Sequence, residues 1–251
     1  MIIHSYEKSI RAETLAEEIR GLAEANAFLD VIVLPIPSVR GGFITGSEVR
    51  LESIAELCTA GTLVIGYDIP TDIAAAFRER GAVVCDSSLD EEFLVDNGEL
   101  TAVCALGIIL TSEKRAPKDL SFGIVGYGRI GKALSRKLLF LGSRVKIYTS
   151  RKDVRLELCE YGVATEMSTD GADLGTLDIL INTAPAVIFD TGREDFPEDL
   201  RIIDLASGDN FPNLKTVEKY PSVPAKMFPK SAGKIWARSV ERQLINRGIY
   251  G

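Results

Sequence analysis

The sequence predicts an α/β protein with two lobes, each built around a parallel β-sheet that carries helices on its faces. Three observations lead to this fold class. Short apolar segments alternate with amphipathic helical segments in both halves of the 251-residue chain. A polar segment that contains a proline, 115–120, separates the two series. The last amphipathic segment has no strand after it, so we expect it to return to the first lobe, with a cleft between the two lobes.

The first lobe is predicted from three pairs of a helix and a strand. In the first helical segment Leu15, Ile19 and Leu22 share one face, and an apolar strand follows. The other two pairs repeat this pattern, and Gly81 ends the last helix. In chain order the segments are RAETLAEEIRGLAEA, DVIVLPIP, VRLESIAELCTA, GTLVIGY, DIAAAFRERG and AVVCDS.

A segment that is apolar on nearly every side, Thr101–Lys114, follows the first series and is predicted to be a buried helix. The second series then resumes the alternation of strands and helices. Its segments are LSFGIVG, RIGKALSRKLLFLG, RVKIYTS, RLELCEYG, LDILINT and RIIDLAS, and the final helix is SAGKIWARSVERQLINRG. The predicted bounds are 1–98 for the first lobe, joined by a C-terminal helix at 230–251, 99–118 for a connecting helix and 119–229 for the second lobe.

Composition and charge exclude several classes of protein. The formal net charge of −7 argues against a chain whose main partner is nucleic acid or an anionic membrane. The longest apolar run, AVCALGIIL, is about half as long as a membrane-spanning helix, and the first residues lack the order of a signal peptide. Cys58, Cys85, Cys104 and Cys159 are too widely spaced for a metal site or a dense disulfide framework. We therefore expect a cytoplasmic protein with reduced thiols and no metal.

A glycine motif, GYGRIG, lies between the buried strand LSFGIVG and the next helix. In this position it predicts the dinucleotide-binding turn of a Rossmann-like, doubly wound parallel sheet. The first glycine permits the tight turn, the second lets the backbone approach a pyrophosphate, and the third allows the helix to pack closely on the strand. The alternative is a glycine-rich turn that binds nothing. The predicted phosphate-binding residues are Gly126, Tyr127, Gly128, Arg129, Ile130 and Gly131.

The residues after the next strand, RVKIYTS, indicate which dinucleotide binds. An NAD site usually has Asp or Glu about 20 residues beyond the last glycine, where it accepts the ribose hydroxyls. This chain has Ser150, Arg151 and Lys152 there, and a hydroxyl with two cations suits a 2′-phosphate. Asp153 follows one or two residues too late. We predict NADP rather than NAD, and the alternative is a solvated basic turn.

The strand ILIN ends in the polar residues Asn182 and Thr183, followed by Ala184 and Pro185. Ligands of open α/β sheets lie beyond the carboxyl ends of the strands, so we expect these four residues to face the dinucleotide. The alternative is an ordinary polar transition from a strand to a loop.

The chain contains one histidine, His4, which lies far in sequence from every predicted site residue. Dehydrogenases that oxidise a 2-hydroxy acid need a base for the hydroxyl proton, commonly a histidine, and an arginine for the substrate carboxylate. We expect His4 to be a surface residue, and the segment IIDLASGDNF lacks an arginine. The sequence therefore argues against alcohol oxidation by that route, whereas a reaction whose proton can leave to water or to a lysine remains open.

Five segments resemble the A subunit of dipicolinate synthase, a family related in fold to D-2-hydroxyacid dehydrogenases and to the cofactor domain of adenosylhomocysteinase. The segments are VLPIPSVRGG, VGYGRIGKAL, INTAPAVIF, IIDLAS and FPKSAGKI, in the family's order. They span most of the chain, from Leu34 to Ile235, and PKSAG is the most specific of them because ordinary Rossmann dehydrogenases lack it.

The resemblance implies a two-lobed, NADP-linked oxidoreductase that oxidises a dihydropyridine dicarboxylate to the aromatic diacid and whose partner is a flavoprotein-like B subunit. It also implies a flavodoxin-like first lobe. Cations are needed for the two substrate carboxylates, so Arg40 and Lys230, with Ser38 and Ser231, are the candidates for contact with a small carboxylated substrate in the cleft. A surface role is the alternative for each of the four.

Two features depart from the family. Its Thr-Ala-Glu-Gly run corresponds here to Thr101-Ala102-Val103-Cys104, so a carboxylate is replaced by an apolar side chain. The N-terminus is shorter and is expected to lack the family's first strand. Two alternatives to the oxidoreductase therefore stay open: a cofactor-binding regulatory or structural subunit without chemistry, and a diverged D-2-hydroxyacid dehydrogenase. Homo-oligomerisation also stays open, with Ile249 and Tyr250 either a docking tip or a frayed terminus.

Overall fold

The computed structural model describes residues 1–160, 164–166, 174–186, 196–208, 210–211 and 216–249. The chain divides into two compact units. The first comprises Met1–Asn97 and Pro224–Gly251, and the second comprises Gly98–Val223. The helix α3 passes from the first unit into the second.

The first unit contains a parallel sheet and a small antiparallel hairpin. Across the described residues the sheet has the order β1-β2-β5-β6, with β1 at Ile2–Ser5, β2 at Asp30–Val33, β5 at Thr62–Gly66 and β6 at Val83–Asp86. The hairpin pairs β3, Val39–Arg40, with β4, Phe43–Ile44. The architecture is the expected α/β sheet, but its strands follow chain order, whereas the flavodoxin order is 2-1-3-4-5. A strand that the sequence pattern did not predict, β1, precedes the first helix and pairs with β2.

Three helices belong to the first unit alone: α1 at Ile10–Ala25, α2 at Thr71–Glu79 and α7 at Pro229–Ile245. Ser9 caps α1, because its hydroxyl accepts a hydrogen bond from the backbone N–H of Ala12 over 3.2 Å. The segment predicted as a helix around residue 54 instead forms a 3₁₀ helix, Leu51–Leu57, and a second 3₁₀ turn covers Ser87–Leu89.

The two longest helices of the first unit, α1 and α7, pack closely because α7 carries a glycine at their contact. A Cβ built on Gly233 would lie 2.6 Å from the backbone oxygen of Arg11 and 2.6 Å from Cβ of Thr14. Next to this contact Trp236 is fully buried, and the guanidinium of Arg11 lies 5.3 Å from the centre of its ring. The C-terminal helix is therefore part of the core of the first unit.

The second unit is a doubly wound, Rossmann-like parallel sheet. Its order among the described strands is β12-β11-β10-β7-β8-β9, which is the Rossmann order of six strands read from the other edge. The strands are β7 at Ser121–Val125, β8 at Arg144–Tyr148, β9 at Ala164–Glu166, β10 at Ile179–Asn182, β11 at Arg201–Asp204 and β12 at Val217–Lys219. The fold class predicted from the glycine motif is confirmed.

The helices of the second unit begin where β7 and β8 end. They are α4 at Arg129–Phe140 and α5 at Lys152–Glu160, and 3₁₀ turns cover Pro117–Asp119 and Leu174–Thr176. A short helix, α6 at Val223–Met227, begins at the last residue of this unit. Part of the predicted segment RLELCEYG lies outside the described residues.

The helix that joins the two units, α3, runs from Glu91 to Ser112 and so begins earlier than the predicted connecting helix. Among the described residues it is the one helix long and apolar enough to cross a membrane. Its residues Ala102, Cys104, Ala105, Ile108 and Ile109 are buried in the core of the second unit. Because the core helix of a soluble protein has the same length and composition, this is weak evidence for a membrane span.

The contact between α1 and α7 gives the first testable prediction. Gly233→Ala should lower the free energy of unfolding by about 1–3 kcal/mol, since the added methyl group meets the backbone of α1. Gly21→Ala is the matched control: it makes the same chemical change inside α1, where a Cβ meets nothing within 4 Å, and it should raise the free energy by about 0.5–1 kcal/mol. Urea unfolding of both variants measures the two effects, and equal effects would show that Gly233 does not control the packing.

Candidate cofactor-binding site

The glycine motif lies at the point where the strand order of the second unit's sheet reverses. β7 and β10 are neighbours, and the chain continues from β7 to β8 on one side and from β10 to β11 on the other. Ligands of doubly wound sheets bind at this switch point, beyond the carboxyl ends of the strands. The residues that end the two strands, Val125 and Asn182, are paired across the sheet.

Three glycines shape the turn, each for a different reason. Gly126 has a φ of 87°, in the left-handed region that favours glycine. A Cβ at Gly131 would overlap the carbonyl oxygen of Gly126, so only glycine lets α4 begin this close to the end of β7. A Cβ at Gly128 would meet nothing within 4 Å. The first and third glycines are therefore required by the fold, whereas the second borders open space that a ligand can fill.

The start of α4 is suited to an anion. Its N-cap residue is Gly128, so no side chain caps the free N–H groups of the first turn. The first turn contains Arg129 and no acidic residue, although acidic residues are usually favoured at the positive end of a helix. Bound phosphate groups compensate both features. The cradle formed by Gly126, Gly128 and the first turn of α4 therefore fits the pyrophosphate of a dinucleotide.

The other two residues of the motif support this turn from the side. Tyr127 and Ile130 are half-buried and pack against the core of the second unit. The ammonium group of Lys132 lies 5.8 Å from the centre of the Tyr127 ring. Neither side chain closes the space in front of Gly128, where a Cβ would meet no atom within 4 Å.

A hydrogen-bonded loop closes the other side of the switch point. The hydroxyl of Thr183 donates to the backbone oxygen of Val125 over 2.8 Å and so ties the end of β10 to the end of β7. The side-chain oxygen of Asn182 accepts from the N–H of Ala184 over 3.1 Å, and its amide nitrogen donates to the oxygen of Ala184 over 3.1 Å. Ala184 is half-buried and Pro185 is exposed. The predicted residues thus lie beside the glycine turn, and 187–189 of the INTAPAVIF segment lie outside the described residues.

Asp204 also belongs to this edge, although the sequence pattern did not single it out. Its carboxylate is 2% exposed and accepts hydrogen bonds from the side chain of Asn182 over 2.9 Å, from the N–H of Ala206 over 3.1 Å and from the side chain of Asn210 over 3.2 Å. The available signal was an acidic residue at the end of the apolar strand RIID. This network fixes Asn182, and through it the loop that follows β10.

The basic residues after β8 lie at the same edge of the sheet. The N–H of Gly126 donates to the carbonyl of Tyr148 over 2.9 Å, which joins the glycine turn to the end of β8. Ser150, Arg151 and Lys152 follow and are exposed. They are therefore available to a ligand that extends from the glycine turn over β8.

Arg151 already has an acidic partner. Its Nη2 donates to Oδ2 of Asp153 over 2.6 Å and its Nε to Oδ1 over 3.4 Å. This hydrogen bond from Arg151 holds the pKa of Asp153 below its ordinary value. The sequence places Asp153 one or two residues beyond the position that contacts the ribose. In the structure Asp153 accepts hydrogen bonds from Arg151, the residue predicted to bind the 2′-phosphate.

The helix α3 holds α4 in position. A Cβ at Gly98 would lie 3.0 Å from Cβ of Arg129, so the two helices approach closely at the start of α4. Glu99 accepts hydrogen bonds from Lys137 and, over 2.5 Å, from Nη2 of Arg136. The hydrogen bond from Lys137 and the charges of both cations hold the pKa of Glu99 below its ordinary value.

The four candidate substrate residues all lie in the first unit. Ser38 is fully buried: its hydroxyl donates to the carbonyl of Pro35 over 3.1 Å and accepts from the N–H of Tyr67 over 2.8 Å. The expectation that Ser38 contacts substrate is therefore corrected, because this hydroxyl holds the turn after β2. Arg40 is exposed on the hairpin, and Lys230 and Ser231 are exposed in the first turn of α7.

Three further titratable groups among the described residues, His4, Cys85 and Cys104, do not supply a reactive nucleophile. His4 is half-exposed on β1, with its Nε2 3.6 Å from Oδ1 of Asp30. Burial raises the pKa of Cys85 to about 12 and of Cys104 to about 11, so both thiols stay protonated at neutral pH. Within the described part of the chain there is no group of three or more residues that could hold a metal ion.

Neither a protein-family model nor a curated protein sequence matches the chain. Solved structures do. The A subunit of dipicolinate synthase from Bacillus halodurans is 20% identical with a TM-score of 0.75, over 97% of this chain and 96% of that one. The corresponding chain of dipicolinate synthase from Bacillus subtilis is 17% identical with a TM-score of 0.74, over 98% and 95%.

A third structure belongs to another group. The D-isomer specific 2-hydroxyacid dehydrogenase from Lactobacillus delbrueckii ssp. bulgaricus, in its NAD-complexed form, is 11% identical with a TM-score of 0.55, over 98% of this chain and 97% of that one. The chain therefore has the fold of these proteins along nearly its whole length, and the resemblance expected from the motifs is confirmed at the level of the fold.

The glycine turn gives the second prediction. Gly128→Ala should leave the unfolding midpoint in urea unchanged, because its φ of −81° suits alanine and its Cβ meets no atom. It should nevertheless weaken NADPH binding at least about tenfold, since the methyl group fills the space of the pyrophosphate. Gly131→Ala should lower both stability and binding, because its methyl group meets backbone. Fluorescence titration with NADPH tests this, and undiminished binding by Gly128→Ala would show that no phosphate lies against Gly128.

The pairing of α3 with α4 gives the third prediction. Because Glu99 has a lowered pKa in the folded protein, its ion pairs stabilise the fold fully above the ordinary carboxyl pKa of about 4.3, and this stabilisation disappears as the pH falls through the lowered pKa. Glu99→Gln should reduce the free energy of unfolding at neutral pH by less than about 1 kcal/mol, since the partners are partly exposed. The difference should vanish as the pH falls through the lowered pKa of Glu99. Urea unfolding at several pH values measures it, with exposed Glu157→Gln as the control, and a difference independent of pH would contradict the assignment.

Proposed function

We propose that the chain is an NAD(P)-dependent oxidoreductase similar in type to the A subunit of dipicolinate synthase, and that it oxidises dihydrodipicolinate or a related small carboxylated substrate. One observation carries the cofactor part of the proposal. At the switch point of a Rossmann sheet, the turn is closed at Gly131, where a side chain would meet backbone, and open at Gly128, where a side chain would meet nothing. An uncapped helix with a basic first turn begins there.

The residues of the second unit have distinct tasks in this proposal. The backbone from Gly126 to Gly128 and the N–H groups of the first turn of α4 bind the pyrophosphate. Ser150, Arg151 and Lys152 bind the adenosine ribose with its 2′-phosphate, which favours NADP over NAD. Thr183, Ala184 and Pro185 border the cofactor at the other side of the switch point, held there by Asn182. The bound nicotinamide supplies the hydride acceptor.

The reaction has to proceed without an imidazole in the second unit, because the single histidine is residue 4. Oxidation of dihydrodipicolinate removes a hydride, which reduces NADP to NADPH, and releases one proton as the ring becomes aromatic. Because aromaticity stabilises the product, the proton can leave to water without a strong protein base. Arg40 and Lys230 are the exposed candidate cations for the two substrate carboxylates. The same proposal includes a cytoplasmic location and a flavoprotein-like B subunit.

A second function has support from a specific position. Val103 is 40% exposed on α3, where the resembled family has a glutamate. A chain that has lost this carboxylate and has one histidine also suits a cofactor-binding regulatory or structural subunit. A diverged D-2-hydroxyacid dehydrogenase has weaker support, because the segment IIDLASGDNF has no arginine where that group has one.

The fourth prediction tests cofactor and chemistry together. NADPH should bind more tightly than NADH in a fluorescence titration, and Arg151→Asp should reverse that order, because the new carboxylate repels the 2′-phosphate and accepts ribose hydroxyls. With NADP and freshly generated dihydrodipicolinate, absorbance of the aromatic diacid and of NADPH should grow together, with or without a B subunit.

The possible results separate the candidate functions. Tight cofactor binding without turnover in either assay would favour the regulatory subunit. Reduction of a 2-oxo acid from a panel would favour the diverged dehydrogenase. Binding of neither NADPH nor NADH would contradict the cofactor assignment itself.

A further inference from the structure

The turn between β8 and α5 contains a carboxylate that competes with a bound anion for the cations of the turn. Of the residues 150–153, Arg151 and Lys152 are cations and Asp153 is an anion. The Asp153 carboxylate contacts the guanidinium of Arg151 through both oxygens, over 2.6 Å and 3.4 Å. The guanidinium that would bind a 2′-phosphate is therefore already hydrogen-bonded to a carboxylate of the protein.

The position of the turn brings this pair to the cofactor edge. β8 lies beside β7 in the sheet, and the carbonyl of Tyr148 at its end accepts the N–H of Gly126 from the glycine turn. A dinucleotide that places its pyrophosphate on α4 extends its adenosine ribose over the end of β8. Arg151 and Asp153 lie three and five residues after that end.

The exposure of the pair allows an exchange of partners. The side chains of Arg151 and Asp153 are 63% and 68% exposed. An exposed ion pair contributes at most about 1 kcal/mol, so a 2′-phosphate can displace the carboxylate from the guanidinium. The displacement nevertheless reduces the net gain from binding the phosphate. NAD carries a hydroxyl at this position and gains nothing from a released guanidinium.

The same contacts argue against a direct role of Asp153 in binding NAD. An acidic residue that selects NAD accepts hydrogen bonds from the ribose hydroxyls. Both oxygens of Asp153 face Arg151 instead, and the residue lies in the first turn of α5, after the end of β8.

We propose that Asp153 is a specificity-determining residue, whose carboxylate competes with the 2′-phosphate of NADP for the guanidinium of Arg151 and thereby narrows the preference of the site for NADP over NAD. This inference rests on the proposed dinucleotide site. It adds to that proposal a limit on cofactor selectivity, because the charge of Asp153 partly neutralises the charge of Arg151, which binds the 2′-phosphate.

The test, and the fifth prediction, is the change in the ratio of two dissociation constants. Asp153→Asn keeps the shape of the side chain and removes its charge. It should tighten NADPH binding about fivefold, the equivalent of one exposed ion pair, and leave NADH binding unchanged. In 1 M salt, where the screening length falls to about 3 Å, most of this gain should disappear.

Two further variants identify the cause. Asp119→Asn removes the same charge from an exposed residue in the turn before β7, at the amino-terminal ends of the strands. It should change neither dissociation constant. In a background of Arg151→Ala, Asp153→Asn should no longer tighten NADPH binding, because the competition requires the guanidinium. A gain that persists in that background would overturn the competition and indicate direct repulsion between Asp153 and the phosphate.

The remaining outcomes separate this inference from the proposed function. If the unaltered protein binds NADPH and NADH but Asp153→Asn leaves their ratio unchanged, the inference fails and the dinucleotide site stands. Weaker NADH binding by Asp153→Asn would overturn the inference by making Asp153 a ribose ligand. If the unaltered protein binds neither cofactor, the proposed function fails, and the inference fails with it.

Discussion

The close approach of Gly131 to the carbonyl of Gly126 is the constraint on which the candidate site depends. It lets α4 start directly at the end of β7, so that the free N–H groups of its first turn point beyond the carboxyl edge of the sheet. Two hydrogen bonds fix this turn to the neighbouring strands: the N–H of Gly126 donates to Tyr148 at the end of β8, and the hydroxyl of Thr183 donates to Val125 at the end of β7. Three adjacent strands thus meet at one backbone turn, and the hydroxyl of Thr183 is the side-chain group that ties the third of them to it.

This dependence on backbone explains which parts of the fold could be predicted from sequence. The glycine motif between a strand and a helix is a local pattern, and the second unit forms as predicted around it. Of the strands that sequence reasoning missed, β1, β9 and β12 have three or four residues and lie at sheet edges, where the apolar pattern is weak. The hairpin strands β3 and β4, also missed, have only two residues each. The strand order of the first unit was also missed, because pairing between distant segments leaves no local signal.

The candidate site was predictable to the same degree. Positions at strand ends follow from the fold, so the residues after β7, β8 and β10 could be selected in advance. The partners of their side chains could not. Ser38 bonds to the N–H of Tyr67, and Asp204 bonds to Asn182 across neighbouring strands, contacts that depend on how the sheets assemble. For this reason a hydroxyl selected as a substrate contact holds a turn, and a buried carboxylate in the site was overlooked.

The chemistry available at this edge follows from which polar groups are already engaged. The amides of Asn182 and Asn210 both donate to the carboxylate of Asp204, so this network orients the loop after β10 and does not present a free base. Cations at the carboxyl ends of the strands attract an anionic dinucleotide only over short distances, because the chain as a whole carries a net charge of −7 and repels it. Screening limits that repulsion to about 8 Å at physiological salt. Binding is then decided by the charges within that distance, which makes Arg129, Arg151 and Lys152 more important than the overall charge.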